Sequence, residues 1–113
     1  PEINAVFAFN EPTSVGAARA VAELGLSDEV FLVGFDSNVA TIDGLQEGSV
    51  DALIVQNPYA MGYLGVESAY QLLSGQGAGL EPTVDTATQI VNRGNLFSLD
   101  SQKALFAFEQ QPG

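Results

Sequence analysis

Val30-Phe31-Leu32-Val33-Gly34-Phe35 runs directly into Asp36-Ser37-Asn38. A continuous apolar run of strand length, with no polar alternation, suits a strand buried on both faces, as in a parallel sheet. The polar cluster that ends it is a turn and helix-cap signal. Upstream, Ala5-Val6-Phe7-Ala8-Phe9 has the same texture and ends at Asn10-Glu11-Pro12-Thr13-Ser14. Pro12 fits the first turn of a helix, where a missing N–H costs nothing. That helix is expected to reach about Leu24, with Val15, Ala18 and Ala22 on its inner face and Gly25 as its left-handed stop. Downstream, a short helix is expected over about Thr41 to Glu47, ended by Gly48. Ala52-Leu53-Ile54-Val55 then reads as a third strand, closing at Gln56-Asn57-Pro58.

Strand–helix–strand–helix order with short connections implies βαβ units. The fold class is α/β: a three-layer parallel sheet with flanking helices. A long helix follows from about Tyr59 to Leu73, with Gly75 beyond it. Tyr59, Tyr63, Val66, Tyr70 and Leu73 share one face, and Met61, Leu64, Gly65 and Leu72 lie roughly opposite. A helix apolar on two sides expects cover on both; the alternative is that its tyrosines lie over loops with their hydroxyls in water. The stretch from Gln76 to Pro82 is Gly-rich, Thr86 to Val91 reads as a fourth strand, and Ser101 to about Phe108 as a terminal helix followed by fraying residues.

Composition narrows the chemistry. The chain has 113 residues, 14 acidic and 3 basic, for a formal net charge of −11, with no His and no Cys. Length allows one domain, with about two-thirds of the unfolded surface buried. Its basic residues, Arg19, Arg93 and Lys103, are too few and too scattered for a phosphate backbone, so no nucleic-acid partner is expected. Zinc sites of the N/S type and His-based nucleophile systems are excluded. No G-x-G-x-x-G or phosphate-loop motif occurs, so no cofactor is expected.

In parallel α/β sheets, ligands bind at the carboxyl ends of the strands. Those ends carry Asn10, Asp36 and Gln56. Asp accepts, while Asn and Gln both donate and accept, a set suited to a ligand covered in hydroxyls. Each residue also has a local alternative: Asn10 and Asp36 can cap the helices that follow them, and Gln56 can satisfy backbone at a strand end. An acid/base pair of Asp36 with Asp43 is disfavoured because Asp43 falls on a surface helix. Phe9 and Phe35 are expected in the core.

The series Ala5-Val6-Phe7-Ala8-Phe9-Asn10-Glu11-Pro12, Val33-Gly34-Phe35-Asp36 and Asp51-Ala52-Leu53-Ile54-Val55-Gln56-Asn57-Pro58-Tyr59-Ala60-Met61-Gly62-Tyr63 resembles the C-terminal portion of ribose-binding-protein-like sugar receptors of bacterial ABC transporters. These are type I periplasmic binding proteins, and the likeness runs from about Ile3 to Leu96. It implies two α/β lobes joined by three crossings, with the sugar between them. Asn10, Asp36 and Gln56 match positions that bond sugar hydroxyls. Gln56-Asn57-Pro58 matches a hinge, and the segment near Asp85 another crossing. Residues 1–56 would then belong to one lobe, 57–83 to the other, and 84–113 to a hinge strand and tail.

The resemblance further implies a non-enzymatic, extracytoplasmic protein, periplasmic or on the outer face of the membrane. Its partners would be a monosaccharide such as ribose, an ABC permease and an N-terminal part of the same polypeptide, and the chain alone is expected to self-associate. The family's Arg and stacking aromatic contacts come from segments that this sequence does not contain. Phe9 also stands where some relatives carry a polar residue. Lactose-repressor-like regulators share the Gly-Phe-Asp motif, so an effector-binding domain of such a regulator or a sensor is the alternative.

Overall fold

The computed structural model describes residues 2–106. The elements follow in the order β1 (Ala5–Phe7), α1 (Glu11–Glu23), β2 (Phe31–Phe35), α2 (Val39–Glu47), β3 (Ala52–Val55), α3 (Pro58–Leu73), a 3₁₀ turn (Gly77–Gly79), β4 (Gln89–Asn92) and α4 (Leu99–Leu105). Every expected element is present, with ends shifted by a few residues. The part of the expected terminal helix beyond 106, and the fraying residues after it, lie outside the described residues.

The sheet has four strands in the order β1-β2-β3-β4. β1, β2 and β3 are mutually parallel, with Phe7 opposite Val33 and Gly34 opposite Leu53. β4 runs antiparallel to β3, with Val55 opposite Gln89. The chain therefore leaves the sheet at Val55 and returns beside it at Gln89, and the excursion between them carries α3.

Alternate residues of a strand face opposite sides. One side holds Leu32, Leu53, Val55 and Val91, all buried, with Ala18, Val21, Leu45 and Leu96 packed over them from the helices and the turn before α4. Gly34 lies on this side because nothing larger fits: a Cβ there would stand 2.8 Å from Leu53 Cδ2 and 3.0 Å from Ser14 Oγ.

The opposite side is open. Phe31 is 55% exposed, Phe7 46% and Ile90 62%. Burial of the strands on both faces is thus met on one face only, and one helical layer is present among the described residues. Phe9 stands outside the core at 77% exposure. It meets Phe7 edge-on at 5.3 Å, and Phe7 meets Phe35 at 6.5 Å.

The inner stripe of α1 is Ser14, Ala18 and Val21 rather than Val15, Ala18 and Ala22. The helix is rotated because a polar residue is wanted inside. Ser14 Oγ donates to Asn10 O at 2.7 Å and accepts from Phe35 N at 2.9 Å. That serine satisfies a sheet N–H which otherwise lacks a partner. At the far end of α2, Gly48 adopts φ 100° as a left-handed C-cap. Arg93 Nε donates to Leu45 O at 3.1 Å, placing a cation against the negative end of that helix and tying β4 to α2.

No residue of α3 is buried, and the element it packs against most is the 3₁₀ turn that follows it. The molecule measures 57 × 29 × 18 Å, elongated because this helix stands off from the sheet. No helix among the described residues is long and apolar enough to cross a membrane.

Candidate functional site at the carboxyl edge of the sheet

Three strand ends meet at one edge, and each is built differently. Asn10 follows β1 and caps α1: its Oδ1 accepts from Thr13 N at 3.0 Å and from Thr13 Oγ1 at 2.8 Å. The capping alternative for Asn10 is therefore realised, and its carboxamide oxygen is engaged. The amide Nδ2, which carries two hydrogens, is the part chemically suited to a ligand.

Asp36 is not the cap of α2. That role falls to Asn38, whose Oδ1 accepts from Thr41 N at 2.9 Å while Thr41 Oγ1 accepts from Asn38 N at 3.0 Å. The two capping boxes, Asn10 with Thr13 and Asn38 with Thr41, have the same form. A bond from Asn38 Nδ2 to Glu11 Oε1 at 2.8 Å joins the two helix starts. Reciprocal bonds of this kind satisfy amides that the helix leaves unpaired.

Relieved of capping, Asp36 turns its carboxylate to the next strand end. Gln56 Nε2 donates to Asp36 Oδ1 at 2.9 Å. Asp36 has φ 65°, the one non-glycine residue with positive φ among those described. Its backbone N donates to Ile54 O at 2.8 Å, which fixes the residue in that conformation. A side chain held in the left-handed region costs on the order of 1–3 kcal/mol and persists only where neighbours enforce it, a pattern that clusters at ligand clamps.

Asp36 and Gln56 line a common cavity of about 400 Å³. Glu11 and Ser37 add polar groups, while Met61 at the start of α3 and Leu105 at the end of α4 add apolar ones. Asn10 is exposed at the β1 end and does not line this cavity; Glu11, its neighbour, does. A second cavity of about 180 Å³ shares Val55, Gln56 and Ala104 with the first and extends to Asn57 and Gln89. The structure thus joins Asp36 and Gln56 directly and leaves Asn10 beside them. Asp43 is exposed on α2 and lines neither cavity.

Two contributors escaped the sequence. Ser14, four residues after Asn10, was legible only as one more polar residue at a helix start. Leu105 belongs to the Ser101, Ala104, Leu105 face of α4, an i, i+3, i+4 set whose proximity to the strand ends no local pattern encodes.

A family model described as "Periplasmic binding protein domain" matches residues 1–77. Among curated proteins, the ribose import binding protein of Escherichia coli K12 is 38% identical over 85 residues, covering 75% of this chain and 28% of that protein. The D-allose-binding periplasmic protein of the same organism is 31% identical over 67 residues, covering 59% of this chain and 22% of that protein. Among solved structures, a carbohydrate transporter solute binding protein of Agrobacterium radiobacter in complex with D-arabinose superposes with a TM-score of 0.86 at 36% identity, covering 93% of this chain and 35% of that one. An ABC transporter solute binding protein of Agrobacterium vitis with bound D-fucose gives 0.82 at 30% identity, covering 90% and 34%. The chain spans about a third or less of each of these proteins.

Proposed function

This chain belongs to the periplasmic binding protein domain family, and from that premise we propose that it supplies one wall of the cleft in an extracytoplasmic sugar receptor of an ABC importer. The observation that carries this reading is the Gln56–Asp36 bond at the ends of two adjacent parallel strands, in a shared cavity. The bond uses one carboxylate oxygen and one amide hydrogen. The two groups together still offer an acceptor oxygen on Asp36, and a donor and an acceptor on Gln56. A sugar hydroxyl donates to one group and accepts from another, so a carboxylate beside a carboxamide suits it.

Residues 1–56 form part of one lobe in this proposal. Residues 57–83, with α3, belong to the other, and 84–113 return through a hinge strand into a tail. The side-by-side exit at Val55 and return at Gln89 support a bend at that place. The unburied α3 supports a second body on which it rests. Closure about the hinge carries Met61 toward Asp36 and removes the sugar from water. Asn10 contributes amide hydrogens from the rim. The receptor binds without catalysing, and its partners are a monosaccharide of the ribose type, a membrane permease and the remaining part of the receptor. The relatives named are sugar-binding proteins, which favours this reading over a lactose-repressor-like regulator.

Titration calorimetry on the full polypeptide carrying these residues, with D-ribose, D-arabinose and D-allose, tests the reading. Saturable binding of at least one sugar is expected. Absence of heat and of thermal stabilisation with all three overturns it.

A further inference from the structure

α4 is anchored at one end and presents its other end to the cavity. Ser98 Oγ accepts from Ser101 N at 3.2 Å and caps the helix. Gln102 Nε2 donates to Leu96 O at 2.7 Å, clipping the helix to the turn before it. Ser101 is wholly buried, and a residue this small lets the helix lie close against β4. Ala104 and Leu105, on the same helix face, pack partly buried against the main core. They also line the cavity that holds Asp36 and Gln56.

The cavity therefore has a polar side, from Glu11, Asp36 and Gln56, and an apolar side to which α4 contributes Ala104 and Leu105. Sites of this construction use a few polar groups for orientation and their apolar lining for shape. A pyranose has the same division, with hydroxyls projecting outward and C–H patches between them. Resting on the sugar-binding reading above, we infer that Leu105 is a size-determining residue. It packs against a C–H edge of the bound sugar and limits the room for an exocyclic carbon.

D-Ribose and D-allose share their hydroxyl configuration at C2, C3 and C4 as pyranoses and differ by a CH₂OH group, so the pair isolates size from hydroxyl recognition. Calorimetry on the full polypeptide should show Leu105→Ala moving the D-allose to D-ribose affinity ratio upward by about tenfold, the scale of one carbon in an apolar pocket. Leu105→Phe should move the ratio the other way, which keeps the test independent of any instability that truncation brings. Should both variants weaken the two sugars by equal factors, or leave both unchanged, Leu105 is structural and the inference is overturned. That result differs from failure of the underlying reading, in which the unaltered receptor binds none of D-ribose, D-arabinose and D-allose.

Discussion

Gln56 Nε2 donates to Asp36 Oδ1 at 2.9 Å, joining side chains 20 positions apart in sequence. The bond ties the end of β2 to the point where the chain leaves β3. It also steadies a residue whose backbone, at φ 65°, is strained. Two features meet at Asp36, the strained conformation and the bonded carboxylate, and two substitutions can tell their effects apart.

Asp36→Gly and Asp36→Ala should therefore part company. Both remove the carboxylate, and both should weaken sugar binding by the full polypeptide by about tenfold to a hundredfold, since a hydrogen bond to a charged group contributes about 1.5–3 kcal/mol. In stability they should differ. Glycine accepts positive φ freely and alanine does not, so Asp36→Gly should be more stable than Asp36→Ala by about 1 kcal/mol in urea unfolding. Equal midpoints would show that the left-handed conformation is not retained.

Ser14 is buried directly behind the strand ends at Asn10 and Phe35, and two backbone groups depend on its hydroxyl. Ser14→Ala leaves the Phe35 N–H without its partner, at a cost of about 1–3 kcal/mol. Thermal unfolding followed by circular dichroism should show a midpoint lower by roughly 4–8 °C per kcal/mol. An unchanged midpoint would mean that water replaces the serine.

Gly34 and Gly62 test close packing against open space. A Cβ at Gly34 would stand 2.8 Å from Leu53 Cδ2, whereas one at Gly62 meets nothing within 4 Å. Gly34→Ala should destabilise by about 1–3 kcal/mol through overpacking. Gly62→Ala, inside an exposed helix, should stabilise by up to about 1 kcal/mol. Denaturant midpoints of the two variants should fall on opposite sides of the parent.

The open sheet face sets the behaviour of the chain on its own. Phe7, Phe31 and Ile90 expose apolar surface of a kind that monomers rarely show contiguously. Opposing this, a net charge of −11 repels like copies. Sedimentation should show association that grows with concentration and with salt, because ions screen the repulsion beyond about 8–10 Å at 0.10–0.15 M. Phe31→Ser should reduce it. A monomer at every concentration and ionic strength would refute the proposal.

Much of the fold was written in local signals. Apolar runs ending in polar caps defined β1 to β3, and Gly48 and Gly75 marked helix ends by their need for positive φ. The direction of β4 was not readable, because a short strand carries the same pattern either way. The inner stripe of α1 was misplaced by one residue, since periodicity favours the apolar Val15 over a serine whose value lies in a bond to a distant strand. At the site, three strand ends could be named, but their separate fates depended on tertiary contacts. Asn10 was drawn into capping, whereas Asn38 released Asp36 from it. The place of α4 beside Asp36 depends on where β4 and the turn at Leu96 leave the chain, which no local pattern encodes.

The exposed helix α3 has an optical consequence. The sequence contains three tyrosines and no tryptophan, and Tyr59, Tyr63 and Tyr70 all stand on α3, the first two stacked at 6.3 Å. Tyrosine emission from this chain therefore originates in one helix and nowhere else. A helix of this length with no buried side chain is only marginally stable by itself. Its fluorescence and anisotropy thus form an intrinsic gauge, silent to events in the sheet, of whether α3 has found a surface to rest on.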